Sequence, residues 1–179
     1  MRSFLRLCFA VLFVSAASPA SAADPENTLY LELETGRVVI EMRPDLAPNH
    51  VTRIKELVRE GFYDGVVFHR VIDGFMAQTG DPTGTGTGGS GEKLRAEFST
   101  AKHVRGTVSM ARAQNINSAD SQFFICFAPA PHLDGQYTVW GQVTEGMELV
   151  DKIKKGRGGS GTVDDPDHLV TMRVAADVD

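Results

Sequence analysis

One arginine of the chain, Arg70, stands in an apolar segment whose composition favours a β-strand. Neighbouring side chains of a strand point to opposite faces, so Arg70 is expected to share a face with Phe68 and Ile72. A guanidinium carries five hydrogen-bond donors and is rarely placed among apolar side chains unless an acceptor meets it. That acceptor could be a structural carboxylate or a bound ligand, and the sequence alone leaves both alternatives open.

Large apolar side chains and amides accompany Arg70 in this segment and in a second one. The candidate ligand-binding side chains are Phe75, Met76, Gln78, Gln122, Phe124 and Leu133. Within residues 121–127, the even-numbered side chains share one strand face and the odd-numbered side chains share the other. One face of each strand can therefore build a core while the other lines a groove. For the aromatic and methionine positions, core packing explains the pattern slightly better than ligand binding does.

The common devices of bond-making enzymes are missing from the sequence. There is no Gly-x-Ser-x-Gly elbow and no Gly-Lys-Ser or Gly-Lys-Thr, and no acidic pair stands out as an acid–base couple. The five histidines lack metal-ligand spacing, so neither a metal site nor a cofactor is predicted. We expect His69 to face away from Arg70, as a hydrogen-bonded histidine inside the sheet.

Residues 80–91 consist of glycine, threonine and serine apart from Asp81 and Pro82, which predicts a long loop. Its glycines match the dinucleotide pattern G-x-G-x-x-G at positions 84, 86 and 89. The βαβ unit that this pattern requires does not follow, however. We interpret the segment as a pliable loop that borders a groove.

The first 22 residues have the pattern of a cleaved secretory signal peptide. A basic start with Arg2 and Arg6 is followed by an apolar run over residues 7–14 and by an A-x-A cleavage pattern that ends at Ala22. The apolar run is far shorter than the ~20 residues that span a bilayer. We therefore predict an exported protein that is free of the membrane after cleavage, in the periplasm or, alternatively, secreted to the medium.

Composition restricts the domain organisation and the partners of the remaining chain. After the signal peptide we expect a flexible lead-in over residues 23–28 and one domain over residues 29–179, which is long enough to bury a core. The chain carries a formal net charge of −5, which argues against nucleic acid as a partner. Cys8 leaves with the signal peptide, so Cys126 remains alone and no internal disulfide forms.

Hydrophobic periodicity predicts a mostly β fold. Residues 29–42 are typical of a β-hairpin. Further short strands are expected where apolar and polar residues alternate, and the last of them, residues 169–174, is expected to pair with the first. Asn49 is expected to cap a helix that ends at Gly61, and residues 145–155 predict a second helix. Because closure removes exposed sheet edges, we predict an antiparallel barrel with a helix at each end.

Three motifs of the sequence resemble the cyclophilin family of peptidyl-prolyl isomerases. Residues 68–81 look like the family signature, residues 121–126 like its second signature, and Gly88-Gly89 and Leu133-Asp134-Gly135 fall in the expected order. The similarity extends over residues 29–174. It implies a closed eight-stranded antiparallel barrel capped by two helices, and a cofactor-free isomerase that acts on X-Pro bonds of unfolded or flexible polypeptides.

The resemblance also implies a role for each candidate residue. Arg70 would be the catalytic arginine. The walls of a proline pocket would be Phe75, Met76, Phe124 and Leu133. The residues contacting the peptide backbone would be Gln78, Ala111, Arg112 and Gln122.

Three substrate-binding positions depart from the family pattern. His132 stands where many members carry tryptophan, Tyr137 where many carry histidine, and Arg112 where asparagine is frequent. The loop over residues 113–120 is about one residue longer. We expect these changes to weaken the binding of cyclosporin-type inhibitors and to alter sequence preference more than they harm catalysis.

Two other classes of function compete with an isomerase. The first is a non-catalytic module or chaperone that holds proline-containing segments without turnover. The second is a carrier of small molecules, similar to a lipocalin, which fits the β content but leaves Arg70 and the ordered motifs unexplained. Turnover of an X-Pro peptide separates the isomerase from the first, and a bound ligand after purification would indicate the second.

Overall fold

A computed structural model describes residues 24–178. Its strands are β1 (Thr28–Leu33), β2 (Gly36–Met42), β3 (Arg70–Ile72), β4 (Met76–Thr79), β5 (Thr107–Met110), β6 (Phe123–Cys126), β7 (Val139–Glu145) and β8 (Leu169–Val174). The helices are α1 (Pro48–Arg59) and α2 (Met147–Val150), and short 3₁₀ turns occupy Pro25–Asn27, Pro131–Leu133 and Ala175–Asp177. The predicted signal peptide lies outside the described residues.

The eight strands form one curled antiparallel sheet in the order β3-β4-β6-β5-β7-β2-β1-β8. The predicted hairpin is confirmed as β1 and β2, and the last strand pairs with the first as predicted. The predicted closed barrel is wrong, because the sheet is an open half-barrel whose end strands β3 and β8 do not pair as a ladder.

In a closed barrel, β8 would pair with the outer edge of β3. Here a loop that contains Gly156 and Gly161 bonds to that edge instead. Val71 of β3 donates its N–H to the carbonyl of Gly161 at 2.7 Å, and its own carbonyl accepts from Gly156 at 2.9 Å. Before β3, the N–H of Phe68 donates to the carbonyl of Asp167 at 2.9 Å and the N–H of Leu169 donates to that of Val66 at 2.8 Å, around an isolated bridge between Val67 and His168. The outer edge of β3 is therefore covered by irregular chain, which satisfies its backbone groups without closure.

Helix α1 is confirmed, but its predicted cap is wrong. Its N-cap is Ala47, which makes no side-chain capping bond. Instead, the carboxylate of Glu97 accepts the backbone N–H groups of Asn49 at 3.1 Å and His50 at 3.0 Å. A negative charge at a helix N-terminus satisfies the free N–H groups there and is favoured by the helix dipole. A residue distant in sequence thus does the work expected of Asn49.

The second helix, α2, has only four residues, rather than the predicted range 145–155. Glu145 still belongs to β7, where it pairs with Val39 of β2. Gly146 then reverses the chain at a φ of 82°. At the other end, the N–H of Lys154 donates to the Asp167 carboxylate at 2.7 Å instead of continuing the helix. Val150 and Ile153 are buried, but the helix ends at Val150 and the chain continues as turns.

The segment expected to be a flexible lead-in forms a 3₁₀ turn in its described part. The Asp24 carboxylate accepts the N–H of Glu26 at 3.1 Å. Glu26 forms ion pairs with Lys55 at 3.2 Å and Arg59 at 3.0 Å, both on α1. The turn therefore connects the start of β1 to the helix.

Two apolar clusters lie on the two faces of the sheet. The larger one fills the space between the concave face and α1, with Phe68, Phe123 and Trp140 fully buried. This packed interior argues against the carrier of small molecules. The smaller one contains Met76, Phe124, Cys126, Ala130 and Leu133. The predicted alternation along residues 121–127 is confirmed, because Phe124 and Cys126 belong to the second cluster and their neighbours to the first.

Within residues 24–178, no helix is long and apolar enough to cross a membrane. The same residues contain no group of three or more His, Cys, Asp or Glu side chains that could hold a metal ion. Cys126 is a buried free thiol, and burial raises its pKa to about 12. A thiol that stays protonated at neutral pH is a poor nucleophile.

Candidate active site

An open cavity of about 540 Å³ lies over the second apolar cluster. Its lining includes every predicted site residue except Gln122, namely Arg70, Phe75, Met76, Gln78, Ala111, Arg112, Phe124, His132, Leu133 and Tyr137. The lining also includes His69, Gly84, Thr85, Gly86, Thr162 and Val163. Residues that are far apart in the chain thus meet at one surface, while their individual roles remain predictions.

The floor of the cavity is apolar and is fixed by the pairing of β4 with β6. Met76 pairs with Cys126 and Gln78 pairs with Phe124 across this ladder. Met76 and Phe124 are 1% and 5% exposed, so they present only a small surface to the cavity. Leu133, in the 3₁₀ turn Pro131–Leu133, completes the floor. An apolar floor of this kind suits a small apolar ring.

Arg70 lies at the edge of this floor and begins a chain of hydrogen bonds. It pairs with Gln78 across β3 and β4, and its Nη1 donates to Gln78 Oε1 at 3.1 Å. Gln78 Nε2 donates to Gln122 Oε1 at 2.9 Å, and Gln122 Nε2 donates to the carbonyls of Gly86 at 3.1 Å and Gly88 at 2.8 Å. These hydrogen bonds hold the guanidinium in one orientation, towards the cavity.

The acceptors of Arg70 are neutral. Apart from Gln78, its Nε donates to the carbonyl oxygen of Ser160 at 2.9 Å. Among residues 24–178 no carboxylate forms an ion pair with it. Of the two alternatives open from the sequence, a structural carboxylate is therefore excluded within the described chain. The positive charge remains available to a ligand.

The predicted alternation holds within β3, where Val71 lies in the main core and Ile72 packs against the second cluster, but it fails before Arg70. Strand β3 begins only at Arg70, so Phe68 lies in the main core and not on the face of Arg70. His69 lines the same cavity as Arg70 instead of facing away. Neither ring nitrogen of His69 has a partner at hydrogen-bond geometry among the described residues, although, against the burial that lowers its pKa, the Val67 backbone and the Gln122 side chain act to raise it. Alternation fails because the chain before β3 is irregular.

Two buried carboxylates hold the glycine-rich loop at the cavity rim. Asp81 accepts the backbone N–H groups of Thr83 at 2.7 Å, Gly86 at 2.7 Å and Gly88 at 3.0 Å. Asp120 accepts the N–H of Ser90 at 2.6 Å and the Lys93 ammonium at 3.0 Å. The loop borders a groove as predicted, but it is held by specific bonds.

The hydrogen bonds of Asp81 outweigh the cost of burying its charge. Burial by itself raises the pKa of the carboxyl, whereas the Thr83 hydroxyl and the N–H groups of Gly88, Thr83 and Gly86 lower it, with a net pKa of about 2. For Asp120, burial likewise raises the pKa, but the bonds from Ser90 and Lys93 lower it below its usual range. Both groups are ionised at neutral pH, and the loop depends on their charge.

Close approach to these carboxylates explains the glycine pattern without a dinucleotide. A Cβ atom at Gly88 would lie 2.2 Å from Asp81 Oδ1, and one at Gly89 would lie 2.7 Å from the Asp120 carboxylate. Distances this short are sterically forbidden, so only glycine fits at either position. The loop bends around two internal anions instead of an external phosphate.

A second cavity of about 310 Å³ adjoins the first beyond the loop. It contains Gln122, Lys93, Asp120 and Ser118, and it shares Gln78, Ala111 and Arg112 with the first cavity. Gln122 is the one predicted site residue that does not line the main cavity. It lies next to that cavity, because its side chain bonds to the Gln78 amide, which lines both. An extended ligand could occupy both.

Comparison with known proteins assigns this arrangement to a family. The family model described as "Cyclophilin type peptidyl-prolyl cis-trans isomerase/CLD" matches residues 28–175. The chain belongs to the cyclophilin family. A probable peptidyl-prolyl cis-trans isomerase of Brucella suis is 56% identical over 182 residues, covering 94% of this chain and 93% of the relative. Peptidyl-prolyl cis-trans isomerase B of Bacillus subtilis is 45% identical over 133 residues, covering 73% of this chain and 92% of the relative.

Solved cyclophilins have the same fold. The structure of a cyclophilin from Hirschia baltica superimposes with a TM-score of 0.78 at 30% identity, covering 88% of this chain and 77% of that one. A cyclophilin type peptidyl-prolyl cis-trans isomerase of Cryptosporidium parvum, solved in the presence of the dipeptide Ala-Pro, gives 0.74 at 28% identity, covering 82% and 98%. The activity class of the chain is therefore peptidyl-prolyl isomerisation.

Two of the departures from the family pattern contact each other in this cyclophilin. The Arg112 guanidinium carbon lies 4.5 Å from the centroid of the Tyr137 ring. The third, His132, lies with its ring centroid 5.4 Å from that of Phe75, at the open side of the cavity. The changed residues therefore form walls of the cavity around an unchanged Arg70.

A buried histidine supports the cavity floor from behind, and no spacing pattern of the sequence indicates it. The His103 ring stacks on Phe124 at 6.2 Å between centroids. Its Nδ1 is 3.1 Å from Asp134 Oδ1 and its Nε2 is 3.1 Å from Ser109 Oγ. Asp134 is distant from His103 in sequence and Ser109 lies on the neighbouring strand β5, while the acceptor that Ser160 offers to Arg70 is a main-chain carbonyl. Spacing patterns of side chains carry no signal for either contact.

Acid is expected to destabilise the cyclophilin through these histidines. Burial lowers the pKa of His69 and of His103, the latter against the opposing effect of Asp134. Below the ordinary histidine pKa of about 6.5, the unfolded chain binds more protons than the folded one, so stability falls as pH falls through that value. Thermal unfolding between pH 8 and pH 5 measures this effect.

Variants separate the two contributions. Changing His69→Leu is expected to remove the part of the pH dependence that His69 contributes and to leave the part that His103 contributes. Equal melting temperatures of the unmodified protein at pH 7.5 and pH 5 would show that neither buried ring resists protonation.

Proposed function

We propose that this cyclophilin rotates X-Pro bonds by hydrogen bonding from Arg70 to the twisted amide, with the proline ring on the apolar floor beside it. The observation that carries the proposal is a guanidinium without a carboxylate partner among the described residues, at the rim of a cavity with an apolar floor. The Cryptosporidium parvum relative solved with Ala-Pro supports a proline-containing peptide as the ligand.

Rotation about the bond requires no bond-making residue. Amide resonance sets a barrier of ~18–20 kcal/mol, and uncatalysed X-Pro rotation takes tens to hundreds of seconds. As the bond twists, the nitrogen lone pair leaves conjugation and becomes a better hydrogen-bond acceptor. Donation from Arg70 therefore favours the twisted state over either planar state, which is the condition for catalysis.

Arg70 alone is insufficient for a large rate enhancement. An acceleration of roughly 10⁵ requires about 7 kcal/mol of preferential transition-state binding. One charge-assisted hydrogen bond contributes ~1.5–3 kcal/mol. The apolar floor must supply the remainder by removing the amide from water, whose hydrogen bonds to the carbonyl favour the planar form. The burial of Met76 and Phe124 supports this contribution.

A protease-coupled assay on an X-Pro peptide tests the proposal. We expect turnover with a chemical step that is nearly independent of pH from about 5 to 9, because arginine side chains stay charged over that range and no proton is transferred. A bell-shaped profile of the rate would contradict rotation without acid–base chemistry. Binding of the peptide without turnover would instead support the non-catalytic module or chaperone.

We also propose that the cyclophilin is exported to the periplasm and assists the folding of exported proteins there. The support is the basic start, apolar run and A-x-A pattern of residues 1–22. In cell fractions of the native host, the mature chain is expected to begin at Ala23 and to appear with periplasmic proteins. An intact N-terminus in the cytoplasmic fraction would refute export, and recovery from the medium would indicate secretion.

A further inference from the structure

The guanidinium of Arg112 is occupied by the protein's own backbone. Its Nε and Nη2 donate to the carbonyl oxygen of Gln136 at 3.3 and 3.0 Å. Its Nη1 donates to the carbonyl oxygens of Ala113 at 2.9 Å and Gln114 at 3.3 Å. Of the five N–H groups of an arginine, these contacts leave one free. A hydrogen bond to substrate would have to use that one group or break contacts within the protein.

The same guanidinium covers the ring of Tyr137. Its central carbon is 4.5 Å from the ring centroid, which is the geometry of a cation–π contact. Tyr137 in turn packs edge-to-face on Phe124, with centroids 5.9 Å apart and an interplanar angle of 78°. Phe124 belongs to the cavity floor. Arg112 is thereby connected to the floor through one aromatic ring.

Arg112 also connects two loops on either side of the boundary between the cavities. Ala113 and Gln114 begin the loop over residues 113–120, and Gln136 precedes Tyr137 on the other side. The first loop is further closed by Ser118, whose hydroxyl accepts the N–H of Ala113 at 2.9 Å. Because Arg112 lines both cavities, any movement of its side chain changes both walls together.

We propose that Arg112 is a positioning residue, which holds Tyr137 against Phe124 and so sets the shape of the proline cavity, instead of binding the peptide itself. The inference rests on the proposed function, since it concerns the same cavity. It predicts that Arg112 acts on substrate affinity through Tyr137. The rotation step itself depends on Arg70, which Arg112 does not contact.

A double-mutant cycle tests this coupling. Changing Arg112→Ala is expected to raise KM about fivefold, the size of one cation–π contact of about 1 kcal/mol, with kcat changed by less than about twofold. In a Tyr137→Leu background, the same change is expected to raise KM by less than about twofold, because its partner is already gone. Equal effects of Arg112→Ala in both backgrounds would overturn the proposal in favour of direct substrate contact.

Two further variants separate geometry from charge. Arg112→Lys keeps the charge but cannot donate to three carbonyls in a fixed fork, so we expect KM to match that of Arg112→Ala. A lysine variant with the unmodified KM would overturn the proposal, because charge alone would then be sufficient. Arg95→Ala is the matched control, since Arg95 is exposed and lines neither cavity, and it should leave both constants unchanged.

A measurement on the unmodified protein keeps the proposal testable if a variant does not fold. In NMR spectra, the Arg112 side-chain protons are expected to show upfield ring-current shifts that disappear in Tyr137→Leu. Their absence from the unmodified protein would refute the contact. Failure of the unmodified protein to isomerise X-Pro peptides would refute the proposed function but not the role of Arg112. The double-mutant cycle of Arg112 and Tyr137 can then be measured as peptide affinities by titration.

Discussion

Replacing Arg70 by alanine is expected to lower kcat/KM by roughly 10²-fold, the equivalent of one lost charge-assisted hydrogen bond of up to ~3 kcal/mol in the transition state. Arg70→Lys should lose most of the activity as well, because a point ammonium cannot reproduce the direction of a guanidinium held by Gln78 and Ser160. The loss should fall mainly on kcat, since the apolar floor still binds the proline ring.

The fold should survive both changes. Arg70 is half-buried at a strand that begins the sheet, and its acceptors are an amide and a carbonyl that water can satisfy. Melting temperatures close to that of the unmodified protein are therefore expected. Arg157→Ala, whose side chain is 89% exposed, controls for the loss of a positive charge on the neighbouring loop. Turnover near the unmodified level in Arg70→Lys would remove Arg70 from the mechanism.

Replacing Asp81 by alanine is expected to produce the largest loss of stability, about 2–4 kcal/mol. The carboxylate is fully buried and accepts the N–H groups of Thr83, Gly86 and Gly88, which lose their partner together. KM should also rise, because the carbonyls of Gly86 and Gly88 hold Gln122, the last member of the network that orients Arg70. Chemical denaturation and peptide kinetics measure the two effects separately.

The pH dependence of unfolding shows whether the charge of the Asp81 carboxylate stabilises the protein. The pKa of Asp81 is about 2, below the ordinary aspartate value of about 3.8, so its stabilisation is present above that value and is lost as pH falls through 4 towards 2. The Asp81→Ala variant should lack this part of the acid transition, whereas Asp73→Ala, at an exposed turn, should retain it. Unchanged denaturation of Asp81→Ala would mean that the loop stands without its anion.

Local patterns of side chains predicted the elements that build the site. Alternation along residues 121–127 predicted which side chains face the core, and periodicity predicted α1. The motif residues then met at one cavity, because β3, β4 and β6 lie side by side in the sheet. Where short-range hydrogen bonding and burial decide the outcome, the sequence carries enough information.

Contacts between distant segments decided the features that were predicted wrongly. Gly161 bonds to the edge of β3 where barrel closure would place β8, and Asp167 binds the N–H of Lys154 within the range predicted for α2. Glu97, in a loop, caps α1 in place of Asn49. Each of these bonds joins residues that no local pattern relates. Such contacts are known only from the three-dimensional structure.

A crystal structure of the cyclophilin with a bound Ala-Pro peptide tests the central claim most directly. The account predicts the proline ring on the floor formed by Met76, Phe124 and Leu133, with an Arg70 Nη atom about 3–4 Å from the prolyl nitrogen, a contact that tightens as the amide twists. A proline ring bound elsewhere, or a guanidinium turned away from the prolyl nitrogen, would contradict it.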